Sequence, residues 1–277
     1  MGKYAQVAQQ CRRDAMEMVH KAGKGHLGTS FSSMDIIVAI RSVMRGGDIF
    51  LSSKGHDAPA QYALLAAWGL LDPGWLNTLR TEGGLPGHPT VDVPGIVCNT
   101  GSLGMGLSKA CGFVWAARLR VQDVMASGRT VREEASASRL TPASWRVFVL
   151  LGDGEMSEGQ NYEAMLFAAR YDMGEILAVV DANGFQQDGP ADLDVSRIAQ
   201  LFRACGWVCD IVSGDADELR KHMVLQGKMP RCLVVETRKG QGVSVMEADP
   251  VKWHQRSPNS GEYERALREL CGDGVHS

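Results

Sequence analysis

The chain has 277 residues, 44% of them hydrophobic and 22% charged, with a formal net charge of −3. That is the make-up of an ordinary globular protein, without the basic face of a nucleic-acid binder or a polybasic membrane anchor. No apolar run approaches the roughly 20 residues that span a bilayer, and the start, MGKYAQVAQQ, has no apolar signal core. Gln6 breaks the myristoylation pattern after Gly2. Seven cysteines lie scattered with no C-x-x-C pair. They suit a reducing cytoplasm and read as small buried apolar residues.

Val7, Cys11, Ala15, Met18 and Val19 recur at helical spacing and predict a helix over 4–22. Gly23, Gly25 and Gly28 break the chain after it. Ser32-Ser33-Met34-Asp35 reads as the opening of a second helix to about Met44. Ile49 to Leu51 is a short apolar step before a polar loop, Ser52 to Asp57. Pro59 starts a third helix to about Leu71, as Pro suits a first turn. Residues 83–101 are loop-rich, with Pro86, Pro89 and Pro94. Gly104 to Arg120 is a long helix whose small residues, from Gly104 to Gly112, permit close packing. Residues 121–144 are polar and weakly periodic, and read as a helix extension plus a surface loop.

From Trp145 onward strand and helix alternate. Strands fall near 146–151, 176–181, 206–212 and 231–237, and helices near 159–171, 195–204 and 215–226. A final helix follows Trp253-His254, from about Ser260 to Leu270. The pattern predicts an α/β fold with a doubly wound, mostly parallel sheet flanked by helices.

The most informative feature is Gly152-Asp153-Gly154 after the apolar run Val147 to Leu151, with Asn183 after the run Ile176 to Val180. The intervening helix makes the two strands parallel. Neighbouring strand ends lie about 5 Å apart, so Asp153 and Asn183 meet at the carboxyl edge, where open α/β sheets place ligands. One carboxylate and one amide oxygen are too few to cage a metal. They suit Mg²⁺, which adds phosphate oxygens and water, so the residues predict a Mg-bridged diphosphate. Gly101 to Gly106 opens a helix but misses the spacing of a dinucleotide loop, which argues against NAD. Three Gly-His pairs, ending in His26, His56 and His88, read as one cluster able to hold or move protons. His20, His222 and His276 read as surface residues, and Lys54, Arg238 and Lys239 as cations that could meet phosphate, although most residues of that kind are simply solvated.

Taken together, KGHLGTS at 24–30, SSKGHDAPAQYALLA at 52–66, GHPTVDVPGIVCNTGSLGMGLSKACG at 87–112, VLLGDGEMSEGQNYEAM at 149–165, DANGFQQDG at 181–189 and RKGQGVSVMEADPVKWH at 238–254 resemble the N-terminal half of a transketolase. The layout is most similar to transketolases split into two chains. The resemblance implies the thiamine diphosphate-binding fold, with residues 1–277 forming one diphosphate-type domain. It implies Asp153, Asn183 and the Phe185 carbonyl as ligands of Mg²⁺, or of Ca²⁺ or Mn²⁺. Gly154 and Asn183 would contact the diphosphate, with His56 and His254 also on the cofactor. Gly101, Ser102 and Leu103 would cradle its ring region. His26, His88 and His254 would face the substrate's oxygens, and Glu158 would join a carboxylate network across the interface between chains. The implied activity is two-carbon ketol transfer between sugars or sugar phosphates.

The chain also departs from that family. The pyrimidine-binding and C-terminal domains are absent and expected on a separate chain, giving an α2β2 complex that is active only when assembled. No nucleic-acid or membrane partner is expected. Ser102, Leu27 and Gln255-Arg256 replace the usual Pro, Pro and Gly. These changes point to a specialised biosynthetic role. Two other readings stay open: the diphosphate-binding subunit of a 2-oxo acid decarboxylating enzyme, and a non-catalytic assembly partner.

Overall fold

The computed structural model describes residues 1–126, 145–223 and 227–272. Five strands, all parallel, form one sheet in the order β1-β2-β3-β5-β4: β1 (Ile49–Ser52), β2 (Val147–Gly152), β3 (Ile176–Ala182), β4 (Val208–Val212) and β5 (Arg231–Glu236). The three central strands are buried almost throughout. This explains their continuous apolar runs, since helices cover both faces of a parallel sheet. Phe148, Leu150, Leu177, Val179, Leu233 and Val235 join one hydrophobic cluster. Val147, Val149, Leu151, Ile176, Ala178, Val180, Cys232 and Val234 join another. The strict alternation is the two-residue period of a strand.

On the first face lie α1 (Lys3–Ala22), α2 (Leu27–Val43), α3 (Ala58–Ala67) and later α7 (Ala216–His222), α8 (Ser244–Glu247) and α9 (Ser260–Cys271). The second face carries α4 (Met105–Ala126), α5 (Gly159–Arg170) and α6 (Val195–Ala204). Among the described residues no helix is long and apolar enough to cross a membrane.

Two elements differ from the sequence reading. The short step at Ile49 is a strand, paired with β2 from Ile49↔Val147 to Ser52↔Leu150. It carries the Lys54-Gly55-His56 loop to the carboxyl edge of the sheet. Helix α2 starts at Leu27, not Ser32. Its serines do not cap. Ser30 and Ser33 donate backward to the carbonyls of His26 and Thr29, and Ser32 donates to the Asp181 carboxylate, which satisfies hydroxyls in a helix buried nearly all round. Helix α4 continues through Ala126, in line with the expected extension. The remainder of the 121–144 insertion, His276 and residues 224–226 lie outside the described residues.

Candidate functional site

The carboxyl ends of β1, β2, β3 and β5 open onto a cleft of about 450 Å³. Asp153 and Asn183 meet on its floor. The parallel register Gly152↔Asp181 places the two strand ends side by side. The Asp153 carboxylate accepts hydrogen bonds from the backbone N–H groups of Gly154 (2.8 Å) and Gly184 (2.6 Å). The Asn183 Oδ1 accepts from the Phe185 N–H at 3.2 Å, folding the turn beyond β3. Burial, with the neighbouring Asp181 charge, raises the Asp153 pKa to about 6.

Beneath them lies an ion pair that the sequence reading missed. Lys54 is 1% exposed and bonds the Asp181 carboxylate, itself fully buried. Asp181 also accepts from Ser32 Oγ (2.7 Å), Thr237 Oγ1 and Asn183 Nδ2 (3.3 Å). Burial alone would lower the Lys54 pKa, but Asp181 and Asp57 together raise it. So Lys54 is a buried, spoken-for cation and not a solvated one. Its sequence signal was Asp181 itself, a carboxylate at the end of an apolar strand, which requires a partner. A second buried carboxylate, Glu155, accepts from Ser53 Oγ, Gly104 N (2.6 Å) and Gly152 N (3.1 Å). It ties the loop after β1, the start of α4 and the end of β2 together. Gly106 admits this approach, because a Cβ there would lie 2.4 Å from the Cβ of Ser53.

Four histidines form the wall. The His26 ring centroid lies 5.6 Å from His56, 6.2 Å from His88 and 5.5 Å from His254, and His56 lies 5.9 Å from His254. Burial, and then neighbouring imidazoles and cations, lowers His26 to about 3. Burial and Lys239 lower His254 to about 4, and burial is the main cause for His56 and His88 also. The wall is therefore neutral at pH 7. Lys239 is buried rather than solvated: its Nζ donates to the Gln186 carbonyl (2.7 Å) and lies 3.0 Å from His254 Nδ1. Burial lowers its own pKa to about 8. As donor to Nδ1 it leaves Nε2 of His254 to carry the proton.

The cleft lining includes Gly101, Leu103, Gly154, Glu158 and Phe185. Glu158 is exposed on its rim. Ser102 is exposed and does not line the cleft. Leu27 is fully buried in the core, and Arg256 bonds Glu262 (2.5 Å) while covering the Trp253 ring. Neither Leu27 nor Ser102 lines the cleft, and Arg256 meets the wall through the backbone bridge it forms with His26. Arg238 is exposed beside Glu247. His222 is exposed as expected, whereas His20 is half-buried, stacked on Tyr263 at 4.2 Å.

The hard-oxygen donors fit a divalent ion shared with a diphosphate. Asp153 is a buried carboxylate held only by backbone N–H groups, with no cation side chain paired to it among the described residues. Among those residues no three of His, Cys, Asp and Glu converge as a metal cage, so such an ion would draw its other ligands from carbonyl, phosphate and water.

A cleft at the carboxyl edge of a parallel α/β sheet, with an oxygen-lined floor and a histidine wall, is where open α/β folds bind their ligands. Residues 4–243 match the family model described as "Transketolase, thiamine diphosphate binding domain", and the chain belongs to the transketolase family. It is 32% identical to the A subunit of the apulose-4-phosphate transketolase of Phocaeicola vulgatus, over 94% of this chain and 90% of that one. It is 31% identical to human transketolase, over 95% of this chain but 41% of that one. The fold matches a transketolase crystal structure from Campylobacter jejuni with a TM-score of 0.83 at 23% identity, over 98% of this chain and 43% of the other. The chain thus spans nearly all of the first relative and well under half of a full-length transketolase.

Proposed function

We propose that this chain is the N-terminal, diphosphate-binding subunit of a two-chain transketolase, moving a two-carbon ketol unit from a ketose to an aldehyde acceptor. The observation that carries this reading is the meeting of Asp153 and Asn183 on the floor of a cleft walled by His26, His56, His88 and His254. Residues 1–277 act as a single diphosphate-type domain. Asp153, the Asn183 amide oxygen and the Phe185 carbonyl would hold Mg²⁺, or Ca²⁺ or Mn²⁺, against the diphosphate of thiamine diphosphate. Gly154, Asn183, His56 and His254 would contact the cofactor, and Gly101, Ser102 and Leu103 would cradle its ring region. The bound cofactor supplies the electron sink that lets a C–C bond beside a carbonyl break and re-form.

The chain's own residues bind, orient and handle protons. Neutral His26 and His88 can each donate or accept at a hydroxyl or carbonyl oxygen of the sugar. His254, its tautomer set by Lys239, presents Nε2–H as a donor. Bound anionic cofactor would draw these imidazole pKa values back up toward the working range.

A partner chain is part of this reading. The Phocaeicola relative is named as one subunit of its enzyme, and this chain covers 41% of human transketolase. Trp115 of α4, Phe167 of α5 and Tyr171 just after α5 are exposed and pack ring against ring at 4.7–5.7 Å. Solvent-facing aromatics of this kind mark a contact surface. Glu163 lines a hollow of about 380 Å³ beside Phe167, five residues beyond Glu158, which we place in a carboxylate network across that interface. We assign an α2β2 complex, working in the cytoplasm on sugar phosphates. The test is co-expression with a partner chain and assay for ketol transfer with thiamine diphosphate and Mg²⁺. Turnover with both chains and with neither alone, abolished by Asp153→Ala, is expected. Turnover only with a 2-oxo acid donor would move the chain to the decarboxylating class.

A further inference from the structure

The cations inside the cleft are already engaged: Lys54 by Asp181, and Lys239 by Gln186 and His254. Two cations outside the cleft lining, near its histidine wall, are not. Among the described residues neither the Arg80 guanidinium nor the Lys24 ammonium has a hydrogen bond or ion pair. Both are exposed, and both act electrostatically on His26. Lys24 stands two residues before His26 in the Gly-rich turn between α1 and α2.

Arg80 is held in place by its backbone. Its φ is +60°, a left-handed conformation that disfavours a long side chain. Its N–H donates to the Leu85 carbonyl at 2.7 Å, and Leu79 and Leu85 on either side are buried in the core. The guanidinium then lies against the backbone of Gly87, where a Cβ would come within 2.5 Å of Cζ. Gly87 directly precedes His88, so the charge lies beside the histidine wall. A residue held in an unfavourable backbone conformation, with its charge uncompensated, is a feature that solvation alone does not explain.

We propose that Arg80, assisted by Lys24, binds the phosphate group of a sugar-phosphate substrate at the mouth of the cleft. The proposal rests on the ketol-transfer reading for its substrate. It places one specificity-determining contact on this chain, independent of any arginine on the partner chain. An Arg presents paired N–H donors that match phosphate oxygens, and the neutral histidines beyond it are left to the sugar's hydroxyl and carbonyl groups.

Arg80→Gly relieves the backbone strain while removing the charge, so a fold defect cannot mimic a binding defect. In the assembled complex, kcat/KM is measured for ribose 5-phosphate and for ribose as acceptors. Arg80→Gly is expected to lower the value for the phosphorylated acceptor by about 10- to 100-fold, the loss typical of a charged hydrogen bond. The loss is carried mainly by KM and reaches only a few-fold for ribose. Lys24→Ala should show a smaller loss of the same selectivity. Equal losses for both acceptors, or none, would overturn the proposal.

A second arm needs no turnover. The complex is saturated with thiamine diphosphate and Mg²⁺, and inorganic phosphate is titrated in by calorimetry. Arg80→Gly should weaken phosphate binding about 10-fold or more and leave cofactor affinity unchanged. Unaltered phosphate binding, or a loss that falls on the cofactor instead, would contradict the assignment. Absence of ketol transfer by the native complex would count against the function above, and this arm would still decide the anion site.

Discussion

The floor and the wall of the cleft solve opposite electrostatic problems. The floor concentrates charge: Lys54, Asp181, Asp57, Asp153 and Glu155 are all buried. Lys54, Asp181 and Glu155 are compensated by partners that arrive from distant parts of the chain, and Asp57 by nearby Ser52 and Gln61. Ser32 of α2, Lys54 after β1 and Thr237 after β5 converge on the single carboxylate of Asp181. Asp153 is held only by backbone N–H groups. The wall, in contrast, carries four imidazoles and no net charge, because burial and mutual repulsion disfavour their protonation. A scaffold so arranged is complete except where a cation meets the floor and a polar ligand meets the wall.

The contrast breaks most severely at Lys54. Lys54→Met leaves Asp181 buried without its cation and should destabilise the chain by about 3–5 kcal/mol, read from urea unfolding. A loss under 1 kcal/mol would mean that the pair is not the floor's keystone.

The wall gives the next largest effect, and it depends on pH. In the fold His26 titrates at about 3, and unfolded it titrates near its ordinary 6.5. Between those values the unfolded chain takes the proton more readily, so stability falls as pH falls across that window. From pH 7 to pH 5 this one histidine should remove about 2 kcal/mol. His26→Asn should shrink the difference between unfolding curves at the two pH values by that amount.

Smaller effects sharpen the comparison. Ser32→Ala removes one donor to Asp181 and should cost about 1 kcal/mol. Lys239→Met should also cost only about 1 kcal/mol at pH 7.5, far less than Lys54→Met. Its charge is already disfavoured by burial, and its main loss is the bond to the Gln186 carbonyl. Equal costs at the two lysines would erase the distinction between a paired floor cation and one that orients the wall.

Much of this was legible in the sequence because it depends on local pattern. The apolar runs of β2, β3 and β5 and the helices between them follow periodicity, and the meeting of Asp153 with Asn183 follows from parallel pairing. The three Gly-His loops were recognisable as a cluster from their repetition, and His254 from family resemblance. What escaped depends on tertiary context. Strand β1 has four residues, too few to show a period, and only its pairing with β2 makes it a strand. The serines of α2 look like caps until burial turns their hydroxyls inward. Lys54 and Lys239 carry the same letters as solvated lysines elsewhere. Leu27, Ser102 and Arg256 looked like changes at the substrate mouth, yet Leu27 is packed in the core, Ser102 is exposed outside the cleft lining and Arg256 is bonded to Glu262.

In the function proposed above, Asp153 holds a divalent ion that bears the cofactor diphosphate. That role is tested most directly by calorimetric titration of thiamine diphosphate into the assembled complex, with and without Mg²⁺. Tight binding that requires the metal, weakened about 100-fold or more by Asp153→Ala, equivalent to about 3 kcal/mol, is the predicted result. Binding of equal strength without a metal, or unaffected by Asp153→Ala, would contradict it.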